Sequence, residues 1–121
     1  MIILHLVSKA EFDAAPADQP FVAANYPKDG FIHCTAEWDV MQQVANSYYR
    51  AQPGEFLVLQ IDADRVTSPV RFEPPIPPHT PGHALAGHLF PHIYGPINRD
   101  AIVSIRTVPR AGDGQFVLSD V

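Results

Sequence analysis

The chain opens on a run of apolar and β-branched residues from Ile2 to Val7, broken only by His5, which predicts a buried first strand. Ser8 follows with Glu11 three positions later, and this capping-box spacing predicts a short helix to about Ala15. Residues 15–30, APADQPFVAANYPKDG, are punctuated by Pro, Asn and Gly and predict a long surface connection with room for one helical turn. Phe31 to Thr35 reads as a short strand. Its alternation puts Phe31, His33 and Thr35 on one face and Ile32 and Cys34 on the other. Thr35 is placed to cap a helix over 36–50, where Trp38, Met41, Val44, Ala45 and Tyr48 recur at helical spacing as one apolar face.

Gln52, Pro53 and Gly54 stop that helix, and EFLVLQID (55–62) has the density of apolar residues expected of a central strand. PVRFEP (69–74) predicts a shorter strand. The proline-rich segment 74–87 predicts a loop, LFPHIYGPI and AIVSIRTV predict the last two main strands, and QFVL (115–118) predicts an edge strand. The order β-α-β-α-β-β-β-β implies an α+β fold: two helices on a mostly antiparallel or split sheet. With 121 residues the chain supports one core and is too short for two, so residues 1–121 are expected to form a single domain.

Composition narrows the function classes. Lys and Arg number 8 against 13 Asp and Glu, for a net charge of -5, and the cations are scattered rather than grouped. Bulk nucleic-acid binding needs a phosphate-neutralising stripe and is disfavoured, although a small basic pocket for one phosphate stays compatible. A single cysteine excludes an internal disulfide framework and suits a reducing cytoplasm. The first residues lack the positive region of a signal peptide, and no run approaches a membrane span, so a cytoplasmic protein without a membrane partner is expected.

Three constellations carry candidate chemistry. His33 beside Cys34 suggests a thiol–imidazole pair, but strand alternation turns the two side chains apart. His79, His83, His88 and His92 cluster within one segment; His79 and His83 have a helical ligand spacing that Pro81 and Gly82 argue against. A metal-dependent hydrolase built on these four is kept as an alternative, while no metal is expected on the favoured reading. In the third constellation, His5, His33 and His92 each interrupt an apolar strand, at positions that burial penalises unless the ring nitrogens are satisfied. Adjacent strands bring such residues to one cleft. There, neutral histidines with Tyr94 suit hydrogen bonding to ribose hydroxyls, stacking on a base, and proton transfer near pH 7.

LHLVSKAEF, DGFIHCTAEWDVMQQVANSYY and LFPHIYGPINRDAIVSI together resemble the bacterial domain-of-unknown-function 952 family across nearly the whole chain. More distantly, ILHLVS and GFIHCTAEW resemble two motifs of the ADP-ribosyltransferase superfamily, which includes the tRNA 2'-phosphotransferases. That resemblance implies an ADP-ribosyltransferase-like split sheet and NAD as a substrate. His5 would hydrogen-bond a ribose of NAD, His33 would contact the nicotinamide ribose, and Thr35 would occupy the small-hydroxyl position. The late strand lacks the superfamily's usual glutamate, so His92 or Tyr94 would stand in its place, and Arg99 or Arg71 would meet a phosphate. The expected partner is thus a small-molecule nucleotide, NAD or a phosphorylated relative, whose ADP-ribose or phosphate is transferred or hydrolysed. A non-catalytic nucleotide-binding module is the alternative, and no feature designates a protein partner.

Overall fold

The computed structural model describes residues 1–75 and 87–118. Two three-stranded sheets, antiparallel throughout, organise it. The first has the order β1-β3-β6, with β1 Ile2–Ser8, β3 Phe56–Asp62 and β6 Ile102–Thr107; the second has the order β2-β5-β4, with β2 Ile32–His33, β5 Phe90–Ile93 and β4 Val70–Glu73. Three helices accompany them: α1 Lys9–Ala14, α2 Tyr26–Asp29 and α3 Trp38–Tyr48. A 3-10 turn at Arg99–Ala101 leads into β6.

β1 and β3 are apolar on successive residues because both of their faces are covered. Ile3, Val7, Leu57, Leu59 and Ile61 pack with Ile32, Ile93, Phe21 and Ile97, joining the first sheet to the second. Leu4, Leu6, Phe56 and Val58 pack on the other side, against Met41 and Ala45 of α3 and against Val108, Phe116 and Leu118. His5 alternates with Ile3 and Val7, so the period of two sends its ring toward the second sheet.

The sheets meet at Thr35. His33 pairs with His92 of β5, and the Cys34 amide still donates to the Pro91 carbonyl at 3.0 Å. One residue on, the Leu4 amide donates to the Thr35 carbonyl at 2.7 Å and the Thr35 amide to the Leu4 carbonyl at 2.8 Å. The strand thereby passes from one sheet to the other.

Several expectations are corrected by the packing. Thr35 does not cap α3: it is consumed by the inter-sheet bridge, and Glu37 occupies the cap position. Within α3 the buried face is Val40, Met41 and Ala45, whereas Tyr48 is 53% exposed. QFVL forms no strand beyond one bridge between Arg110 and Phe116; instead, Phe116 and Leu118 plug the core. Connection 15–30 is less superficial than its composition suggests, because Phe21 is fully buried and bridges Ile97. Ser8 does cap α1, accepting from the Glu11 amide, but the Glu11 carboxylate turns outward from that box to accept from the Ala24 amide at 3.0 Å. Most of the proline-rich segment, including His79 and His83, lies outside the described residues.

Candidate functional site

Register builds the site. His33 faces His92 across β2 and β5, and His92 faces Arg71 across β5 and β4. Directly paired residues of an antiparallel sheet share a face, so alternation adds Phe31, Phe90, Tyr94 and Glu73 to the same side. Phe31 is the hub of that face. Its ring stacks on His92 at 4.1 Å and 22°, and meets His33 at 4.6 Å and Tyr94 at 5.5 Å.

A cavity of about 500 Å³ opens beside this face, between β1, α1, β2 and α3. His5, Thr35, His33 and His92 all line it, with Glu11, Asp29, Asn25 and Phe31. Three histidines from three strands therefore do converge, as the sequence pattern anticipates. Tyr94 stands behind His92 and Arg71 lies at the exposed edge of the sheet, its guanidinium 5.1 Å from the Tyr94 ring centroid. Neither is part of the lining. Arg99 is not brought to the cavity at all: it donates to the carbonyls of Gln19 and Pro16 and lies over Phe12 and Phe21.

Each imidazole is oriented by a named acceptor. His5 Nδ1 is 2.6 Å from the His33 carbonyl, which only accepts, so Nδ1 carries the proton. Burial lowers the His5 pKa, outweighing the carbonyl that pulls it up, and the neutral ring keeps its Nε2 lone pair. His92, 1% exposed, is held the same way by the Glu73 carboxylate, 3.0 Å from its Nδ1. Desolvation again lowers the pKa of His92 despite that carboxylate. Tyr94 donates its hydroxyl to the same Glu73 oxygen. Tyr94 and then His92 hold Glu73 below the usual carboxylate range, while the carboxylate raises the Tyr94 phenol. His33 Nε2 lies 2.8 Å from Asp29, four residues back across the left-handed Gly30 turn, where φ is 81°.

Thr35 is different. Its side chain is 3% exposed and its Oγ1 is the one buried side-chain polar atom without a hydrogen-bond partner among the described residues. A buried hydroxyl left unmatched costs free energy that a bound polar group recovers. Cys34 offers no comparable chemistry, since burial raises its thiol pKa far above physiological pH and its side chain packs in the inter-sheet core. Among the described residues no set of three or more His, Cys, Asp or Glu is placed to hold a metal, and none of the helices is long and apolar enough to cross a membrane.

Sequence reasoning missed the carboxylates. Glu73 was legible only as half of VRFE, where alternation puts Arg71 and Glu73 on one face; its partners come from a strand nineteen or more positions away. Asp29 was closer to view, because an i, i+4 spacing to His33 spans a glycine turn.

No curated protein is detectably similar to the chain. Among solved structures, the crystal structure of protein CC0527 from Caulobacter crescentus is 27% identical, with a TM-score of 0.76 over 97% of this chain and 94% of that one. Its double methionine mutant gives the same figures. The solution NMR structure of the same protein is 28% identical, with a TM-score of 0.69 over 93% of this chain and 89% of that one. The family model described as "Protein of unknown function (DUF952)" matches residues 6–105, and the chain belongs to that family.

Proposed function

We propose that the cavity binds NAD or a related nucleotide and that its imidazoles serve transfer or hydrolysis at the ribose. The observation that carries this reading is the convergence of His5, His33, His92 and an unpartnered Thr35 hydroxyl on one cavity of about 500 Å³. That volume suits a nucleoside-sized ligand. The division of the β-structure into two antiparallel sheets supports, at the level of architecture, the ADP-ribosyltransferase-like relationship.

The roles follow from the hydrogen-bond inventory. His5 Nε2 and the Thr35 hydroxyl together offer an acceptor and a donor to ribose hydroxyls. Phe31 gives the leaving ring an aromatic neighbour. His92 is the general base: its Nε2 takes a proton while Glu73, on Nδ1, stabilises the imidazolium that forms. In hydrolysis the bond between ribose C1' and the ring nitrogen breaks, and its electron pair leaves with nicotinamide. Water adds to C1' and its proton passes to His92. Tyr94 acts through Glu73 as a positioning residue. The carboxylate missing from the late strand is thus supplied by its neighbour, β4.

Saturation-transfer NMR with NAD and ADP-ribose, followed by an assay for released nicotinamide, tests this. Binding lost in His5→Ala and His33→Ala is expected. His92→Ala and Glu73→Gln should keep binding and lose release by about 10²-fold or more, the usual scale of a general base. Absence of binding by either ligand overturns the reading. Binding without release over long incubation assigns a non-catalytic module instead.

A further inference from the structure

All eight lysines and arginines of the chain fall within the described residues. None of them lines the cavity. Lys9 pairs with Asp13, Arg50 with Asp113, and Arg65 with Asp62. Arg99 and Arg110 are held by backbone carbonyls. The N-terminal amine is paired with Asp64. The cavity wall carries instead two carboxylates, Glu11 and Asp29, and imidazoles of which His5 and His92 resist protonation because of burial.

A phosphate entering this space would meet two carboxylates and no lysine or arginine, in surroundings that screen poorly. A ribose hydroxyl meets a neutral acceptor at His5 and the unmatched hydroxyl of Thr35. A positively charged aromatic ring meets the two carboxylates, with Phe31 in the same lining. Resting on the nucleotide reading above, we propose that the cavity recognises a phosphate-free riboside with a neutral or cationic ring, and leaves any phosphates outside. The end of an NAD-type molecule that enters is then its nicotinamide riboside end. A free riboside is a complete ligand for the site.

Isothermal titration of the full chain with nicotinamide riboside, its 5'-mononucleotide, ADP-ribose and inorganic phosphate tests this. The riboside is expected to bind within about threefold of the mononucleotide, and inorganic phosphate is expected neither to bind nor to compete. Thr35→Val should weaken the riboside by about 5- to 10-fold, as loss of one buried hydrogen bond does. Asp29→Asn should shift the preference toward the mononucleotide by a few-fold, with the hydrogen bond to His33 retained by the amide. If the mononucleotide or ADP-ribose binds and the riboside does not, or binds more than tenfold more weakly, the nucleotide reading stands and this inference alone falls. If none of the nucleosides or nucleotides binds, both fall.

Discussion

Thr35 concentrates the tension between stability and binding in one side chain. Its backbone fastens the two sheets, while its hydroxyl sits buried with no partner among the described residues. Thr35→Val keeps the shape and the β-branch and deletes the unmatched oxygen, so it is expected to stabilise the unliganded protein by about 1 kcal/mol. In a domain of this size that corresponds to roughly 3–5 °C in Tm, read by calorimetry without ligand. The same variant weakens riboside binding. A structural threonine would show the opposite pattern, losing stability and leaving binding untouched. Alternation alone places Thr35 with His33 and Phe31, but the cap that local rules predict there is taken by Glu37. A threonine ahead of a helix is a good cap by local rules, and no local rule knows that β1 runs alongside. Glu73 was hidden for the same kind of reason: a carboxylate in a short edge strand is ordinary until a partner strand puts His92 and Tyr94 next to it.

At the scale of elements, β1 and β3 were legible because burial on both faces writes itself as a nearly continuous apolar run. The tail was not. QFVL has the alternation of an edge strand, and a short segment of that kind is the same in sequence whether it pairs along a sheet or plugs a core. Phe116 is fully buried, edge-on to Phe56 at 5.2 Å, with the Arg110 guanidinium 4.2 Å from its ring centroid. Asn46 of α3 ties the tail down, accepting from the Phe116 amide at 2.7 Å and donating to its carbonyl at 3.2 Å. A peripheral edge strand would tolerate truncation there. Phe116→Ala is instead expected to cost about 3–5 kcal/mol, the range of buried aromatic deletions, measured by urea unfolding. Asn46→Ala should cost less, about 1–3 kcal/mol, for the two backbone groups it strands.

At the scale of the whole molecule, the α+β class and antiparallel pairing followed from element order, and the convergence of three histidines followed from their placement in separate apolar strands. Which strands make up each half of the split sheet, and the charge of the cavity, did not, because both depend on which segments become neighbours across the fold. That neighbourhood has a global consequence through linkage. His5 and His92 are both buried with lowered pKa values, so the unfolded chain binds protons that the native state refuses. The stabilisation this represents is fully present above the ordinary histidine pKa of about 6.5 and is lost as pH falls below it toward the native values. The loss proceeds at up to about 1.4 kcal/mol per pH unit for each histidine. Stability measured by urea unfolding is therefore expected to be flat from pH 8 to 7 and to decline between pH 6.5 and 5.5, before the carboxylates titrate. His5→Gln and His92→Gln should each flatten part of that decline, and a profile that stays level in the wild type would mean that these rings ionise as freely in the fold as out of it. A ligand that donates to His5 Nε2 should steepen the same decline. It binds the neutral ring, so its affinity should fall over the pH range in which the native rings become charged.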